Sequence, residues 1–407
     1  MTQEIQETEE GVDRRSFLAR AGLGAAGLAA GGALLAACGD DDSGGAGGTA
    51  DGGDDASGDD DATTVDLAQD DDLPDIEWEM ATSWPLSLDT LFGGAETFTT
   101  TLAALTGGKF MITPRAGGEL VGGLEVLPAV SNGGVQVGHT ASYYYVGLNP
   151  ATQFGTAVPF GLNSRQQNAW LYEGGGLELL RDFYAEEFGV IQFPAGNTGV
   201  QMGGWFGKSI DTPDDLNGLT MRIPGLAGQV LNRLGGEQVT LPGGEIVTSI
   251  ETGAIDAAEW VGPYDDLNLG LDQLGDDAIY YYPGWWEPGP TLEVQIPLNL
   301  WNDLPGQYQA AVEASARTAN ISMMANYDVL NPEALKELRN RGIDVRPFSE
   351  SLLEVFRETT EEVLDDTAAA NSDFASILEP WRQFRDDIQA WHALAEATYL
   401  ISTVLDS

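Results

Sequence analysis

Apolar positions along the chain change period several times, and each change marks an element. The segment IEWEMATSW (76–84) alternates apolar and polar residues and predicts a strand, after which LDTLFGGAETFTTTLAALTGG carries apolar residues at helical spacing up to a Gly-Gly stop. KFMITPRAG predicts a second strand, ELVGGLEVLPAVSNGG a helix ended by glycines, and VQVGHTASYYYVG a strand running into a loop. Residues 163–189 read as two helices parted by Gly-Gly-Gly. From Val190 a second series begins: VIQFPAGNTG and QMGGWFG are short strands around a Gly-rich loop, and DTPDDLNGLTMRIPG contains a helix start, a turn and a strand. GLAGQVLNRLGGEQVTLPGGEIVTSIETGAIDAAEWVGPYDD then alternates helix and strand.

This course predicts an α/β protein with a partly parallel sheet and a second α/β lobe, the first lobe being rejoined after Pro288. A cleft lies between such lobes. The expected divisions are 76–198 for the first part of lobe I, 199–287 for most of lobe II and 288–365 for the return to lobe I with bracing helices. Residues 366–407 form a C-terminal helix. Three or four helices after Pro305 are too many for a cap, and they suit either bracing of the lobes or a dimer surface.

The first 75 residues share none of these periods. Arg14 and Arg15 precede a short run rich in Gly and Ala that ends in LAAC at Cys38, too short and too small in its side chains to span a membrane stably. Residues 1–38 resemble a twin-arginine lipoprotein signal, with Cys38 as the lipidated anchor. Residues 39–75, mostly Gly, Ser, Ala and Asp, predict a disordered acidic linker.

Charge narrows the partners. The chain has 64 acidic against 18 basic residues, a formal charge of −46, and this field excludes nucleic acid as a partner because no basic run interrupts it. The part from Ile76 onward keeps 45 acidic and 15 basic residues, which suits saline, halophilic-like surroundings or surface-bound cations. A single cysteine rules out an internal disulfide, and two histidines, His139 and His392, make a zinc site improbable.

No catalytic motif stands out. GLGAAG lies in the leader without a preceding strand, there is no P-loop, HExxH or GxSxG, and neither histidine has a motif-level nucleophile partner. Arg222 in LTMRIPG leads from a strand into a Pro-Gly loop, where its planar fork suits either a carboxylate ligand or a structural ion pair. Glu259 with Trp260, and Glu287 with Trp286, stand at strand ends before turns, and glutamates in such apolar surroundings need a cation or arginine nearby.

These segments also carry a family resemblance. AGNTGVQMGGWF, LTMRIPGLAGQVLNRLGG, LPGGEI, GAIDAAEWVGPYDDLNLGL and YYYPGWWEPG, with ATSWP and GHTASYYYVGLNP, resemble DctP-type solute-binding proteins of tripartite ATP-independent periplasmic (TRAP) transporters, nearest to the subgroup that binds 2-oxo acids or lactate with a metal ion. The resemblance implies a two-lobed periplasmic-binding-protein-like fold (type II-like) with additional C-terminal helices, and a receptor rather than an enzyme. It implies that Arg222 grips the ligand carboxylate, that Gln201, Glu259, Glu287 and Trp260 surround one metal ion, Na⁺ or Ca²⁺, and that Asn197 and one of Tyr143, Tyr144 and Tyr145 touch the ligand.

The partners it implies are a small 2-oxo or 2-hydroxy monocarboxylate, the TRAP permease and a lipid anchor on the outer face of the cytoplasmic membrane. The C-terminal helices resemble those that dimerise in this subgroup. Arg115, where the family usually has no arginine, suits a second carboxylate of a dicarboxylate ligand or a salt bridge at the lobe edge. A receptor for a dicarboxylate or another organic anion is therefore the alternative within transport. An extracytoplasmic metal-dependent lyase or hydrolase, or an adhesive surface protein, is the alternative outside it.

Overall fold

Strand β1 (Ile76–Thr82) begins where the alternating pattern begins, and the chain then follows the strand–helix course. The structure, a computed structural model, describes residues 72–404 except 274, 276 and 277. Cys38, the signal and the linker as far as residue 71 lie outside the described residues.

After β1 come α1 (Asp89–Leu105), β2 (Phe110–Arg115), β3 (Val137–Thr140), α2 (Ser164–Tyr172), α3 (Gly176–Phe188) and β4 (Val190–Asn197). The second series holds β5 (Trp205–Phe206), β6 (Thr220–Arg222), α4 (Gly225–Arg233), β7 (Glu237–Val239), β8 (Ala257–Ala258), α5 (Pro263–Leu269) and β9 (Ile279–Tyr282). Then follow β10 (Thr291–Pro297), α6 (Gly306–Asn340), β11 (Asp344–Pro347), α7 (Glu350–Ala370) and α8 (Ser372–His392), with shorter helical turns between several of these elements.

Two sheets result, one per lobe. Lobe I has the order β2-β1-β3-β10-β4, in which β1 runs parallel to β2 and β3, while the returning β10 is antiparallel to both its neighbours. Helix α1 covers it because Leu91, Ala95, Phe98 and Leu102 fall on one face at three- and four-residue spacing and are all buried. Lobe II has the order β11-β9-β5-β8-β6-β7 and is built from strands of two to four residues.

The placement of β11 corrects the expected division, which returned all of 288–365 to lobe I. Asp344–Pro347 pairs in parallel with β9 at the edge of the second sheet. The cause is α6: its 35 residues reach about 50 Å and carry the chain from one lobe to the other. Tyr308, Val312 and Ala316 of α6 pack in the lobe I core with Phe98 and Phe110, whereas Tyr327 and Leu338 pack with Trp205 and Tyr280 of lobe II. Beyond β11, α7 rests on α4 of lobe II and α8 on α2 and α3 of lobe I, so the last two helices brace the lobes together.

Two further segments cross between the lobes, β4 to β5 and β9 to β10, and they run side by side. The Thr198 amide donates to the Pro290 carbonyl at 3.1 Å and the Gln201 amide to the Glu287 carbonyl at 3.1 Å. Every charged residue of the site described next lies on these crossings or at a strand end beside them.

Candidate functional site

Arg222 is the last residue of β6 and pairs in register with Ala258 on β8, so Glu259 emerges next to it. Both side chains are buried, at 1% and 0% exposure. The Arg222 Nη1 donates to the Glu259 carboxylate and, at 3.1 Å, to the Glu259 carbonyl, while Nε donates to the Leu241 carbonyl at 3.1 Å. Its guanidinium carbon stands 4.7 Å from the centre of the Trp260 ring, a cation–π contact. The other amino group, Nη2, has no partner.

The crossings add Gln201 and Glu287. Gln201 donates through Nε2 to Thr198 Oγ1 at 3.1 Å, which leaves its Oε1 without a donor. Glu287 has an orphaned Oε2 of its own. Two glycines permit this closeness: a Cβ on Gly284 would stand 2.6 Å from the Met202 carbonyl oxygen, and Gly204, at φ +82°, would bring one within 2.8 Å of the Ala258 oxygen.

Lobe I supplies the opposite wall through the 3₁₀ turn Ser142–Tyr145. Tyr143 and Tyr144 line a narrow cavity of about 10 Å³ with Trp84, Leu91, Gln201 and Trp260. Tyr145 does not join them. With three residues per turn the third tyrosine points elsewhere, and its hydroxyl accepts from the Leu127 amide at 3.2 Å and bonds Thr140 Oγ1 at 2.8 Å inside lobe I.

Asn197 is likewise engaged elsewhere: it donates to the Gly289 carbonyl at 3.1 Å and Thr291 Oγ1 at 3.2 Å and accepts from the Gly199 amide, fastening the two crossings. Arg115 is half-buried and bound to Glu79 at 2.8 Å, the lobe-edge salt bridge rather than a cleft contact.

Burial dominates the electrostatics. It raises the Glu259 carboxyl to about 7, opposed by Arg222 and reinforced by Asp266. It raises Glu287 well above the usual carboxylate range, with Glu259 adding repulsion and Arg222 opposing. The Tyr143 and Tyr144 hydroxyls rise for the same reason, Tyr144 to about 12. Burial pulls Arg222 down, but Glu259, the two tyrosines and Glu287 outweigh it, and the guanidinium stays charged.

Twelve buried side-chain polar atoms lack a partner among the described residues, and six belong to Gln201, Arg222, Glu259, Trp260, Trp286 and Glu287. The Trp286 indole approaches Glu259 without reaching hydrogen-bond geometry. Native proteins satisfy nearly all such groups, so orphans gathered in one place call for a ligand. Three acceptor oxygens, Gln201 Oε1, Glu259 Oε2 and Glu287 Oε2, ask for a cation, and the free Arg222 Nη2 asks for an anion.

Oxygen donors without nitrogen or sulfur suit Na⁺ or Ca²⁺. No group of three or more His, Cys, Asp or Glu side chains able to hold a metal occurs among the described residues, so a cation here needs the Gln201 amide beside two carboxylates.

Sequence reasoning gave no role to Trp84, His139, Asp265 or Asp266. Trp84 lines the cavity and donates to His139 at 2.8 Å, and the aspartates knit α5 to its neighbours. The ATSWP and GHTASYYYVGLNP motifs and the acidic pair in PYDD were their only signals.

Comparison with known proteins agrees with this geometry. The family model for bacterial extracellular solute-binding protein, family 7 (DctP) matches residues 80–371. A monocarboxylate 2-oxoacid-binding periplasmic protein of Nostoc sp. is 52% identical over 327 residues, covering 80% of this chain and 89% of that one. Among solved structures, a TRAP transporter solute-binding protein of Bordetella bronchiseptica, a mixed-occupancy dimer with calcium and picolinate in one site, superposes with a TM-score of 0.79 at 41% identity, over 81% of this chain and 97% of that one. One from Pseudoalteromonas atlantica with bound sodium and pyruvate gives 0.77 at 34% identity, over 80% and 98%.

Proposed function

The chain belongs to the DctP family of extracellular solute-binding proteins, and from that premise we propose that it captures a small 2-oxo or 2-hydroxy monocarboxylate together with one cation. The family is one of binding receptors, not catalysts, and works outside the cytoplasm. The observation that carries the proposal is the convergence of orphaned atoms: three oxygens for a cation and one guanidinium amino group for a carboxylate.

In this reading Gln201, Glu259 and Glu287 hold the cation, with Trp260 beside them. Arg222 Nη2 grips the ligand carboxylate, and Tyr143 and Tyr144 close over it from lobe I. The cation neutralises two glutamates and offers a positive charge to the 2-oxo or 2-hydroxy oxygen.

Charge balance separates the two cations. Ionised Glu259, Glu287 and Arg222 sum to one negative charge. A divalent ion with a monocarboxylate brings the buried cluster to neutrality, whereas a monovalent ion leaves one negative charge that a proton retained on a glutamate removes. One relative is described with calcium bound and another with sodium, and an all-oxygen donor set suits either ion.

A dicarboxylate needs a second cationic contact, and Arg115, the candidate for it, is occupied at the surface. Ligand bridging of the lobes stabilises the closed form, which a TRAP permease then recognises. Cys38 as lipid anchor, the acidic linker as spacer and pairing through the C-terminal helices complete the proposal. The reading predicts that pyruvate binds in calorimetry when Ca²⁺ or Na⁺ is present. Unchanged affinity in Arg222→Ala contradicts it.

A further inference from the structure

The two walls of the cleft differ in polarity. The crossings and lobe II carry the charged groups, whereas lobe I contributes Trp84, Leu91 and Leu292 beside the two tyrosines. Trp84 follows β1 and is almost fully buried, so its indole N–H needs an acceptor. That acceptor lies inside the lobe: the N–H donates to His139 Nδ1 at 2.8 Å, and His139 Nε2 bonds the Ala195 carbonyl on β4 at 3.2 Å.

An accepting Nδ1 carries a lone pair, so the proton sits on Nε2 and the ring is neutral. Burial, opposed by the bond to Ala195, lowers the imidazole to about 4, in keeping with that tautomer. The only polar atom of the Trp84 side chain is thus directed to the interior, and the part of the ring that lines the cleft is hydrocarbon.

We propose that Trp84, held in this orientation by His139, is a specificity-determining residue: with Leu91 and Leu292 it forms the apolar pocket for the alkyl group of the 2-oxo acid and sets the longest tail admitted. The inference rests on the monocarboxylate reading above and deepens it. A methylene buried against such a wall strengthens binding by about fourfold until the wall is reached, after which added bulk clashes. A tail ending in a carboxylate that reaches the face made by Trp84, Leu91 and Leu292 would find no side-chain donor there, because His139 has already taken the Trp84 indole N–H. Arg222 and the cation recognise the head common to all 2-oxo acids, and Trp84 separates them by tail. His139 acts through Trp84 and is a positioning residue.

The test is calorimetry on the full chain with saturating Ca²⁺, using pyruvate, 2-oxobutanoate, 4-methyl-2-oxopentanoate and 2-oxoglutarate. Trp84→Ala is expected to raise affinity for 4-methyl-2-oxopentanoate relative to pyruvate by about tenfold or more, with Trp84→Phe, a smaller cut, moving the ratio the same way. His139→Leu orphans the indole N–H and is expected to shift the ratio by a smaller factor, while His139→Gln, which keeps an acceptor, restores it. A ratio unchanged in both Trp84 variants, or a uniform loss across all ligands, overturns the proposal. Equal His139→Leu and His139→Gln ratios overturn the positioning role. Failure of the underlying reading shows itself separately, as wild-type protein that binds none of these acids with either cation.

Discussion

Two groups of buried carboxylates can be set side by side. Asp265 and Asp266 at the start of α5, and Glu293 in the lobe I sheet, are as inaccessible as Glu259 and Glu287 in the cleft. Asp266 accepts from Trp205 Nε1 at 2.9 Å and the Tyr280 hydroxyl at 2.6 Å. Asp265 accepts from Tyr327 at 2.7 Å and Thr90 at 3.3 Å, and Glu293 from Tyr184 at 2.7 Å and Gln295 at 2.8 Å. No buried oxygen of these three lacks a partner, whereas Glu259 and Glu287 each have one that does. Burial alone is therefore uninformative. Donors that complete a carboxylate mark it as structure, and a missing donor marks the place of a ligand.

The sharpest way to break the comparison is to neutralise one acid of each group. Glu259→Gln removes a cation ligand and relieves repulsion with Glu287, so cation affinity in calorimetry should fall about 100-fold, or ~2.7 kcal/mol. In the cation-free protein, loss of the buried Arg222 ion pair and relief of the Glu287 repulsion oppose each other, so the melting temperature should move less than in Asp266→Ala. The Asp266 substitution should cost about 3 kcal/mol in denaturant unfolding because the Trp205 and Tyr280 donors lose their acceptor. If both substitutions destabilise the cation-free protein equally, the distinction fails.

Glu293 gives a pH version of the contrast. Burial raises its carboxyl from 4.5 to about 7, offset in part by the Tyr184 and Gln295 hydrogen bonds. The native state then keeps a proton that the unfolded chain releases, so stability from this group is complete below about pH 4.5 and is lost as pH rises to about 7, at most ~3 kcal/mol. Glu293→Gln should flatten that part of the unfolding profile, and an unchanged slope would count against a protonated Glu293. The smallest effect belongs to Arg115→Ala. Its exposed pair with Glu79 contributes under ~1 kcal/mol, and monocarboxylate affinity should stay the same.

How far these distinctions were legible in the sequence follows from what a pattern records. The two lobes, the start at Ile76 and the returning β10 show in apolar period. Arg222, Gln201, Glu259 and Glu287 show in motifs, and the structure brings all four together.

Hydrogen-bond partners do not show. Asn197 and Gln201 are both amides in one Gly-rich loop, yet the first fastens the crossings while the second leaves an oxygen free. Three consecutive tyrosines look equivalent until a 3₁₀ turn separates Tyr145 from the others. Strand β11 was misplaced because four residues after a helix carry no information on which sheet edge they reach. Asp266 could not be told from Glu259 for the same reason, since its donors come from residues 61 and 14 positions away.

The most direct measurement of the central claim is a pyruvate titration followed by calorimetry in sodium-free buffer, with chelator and then with Ca²⁺. Orphaned oxygens that hold a cation, and an Arg222 amino group left for the carboxylate, predict saturable one-to-one binding with Ca²⁺ and at least a 100-fold loss in chelator. The same affinity in both buffers would contradict the account.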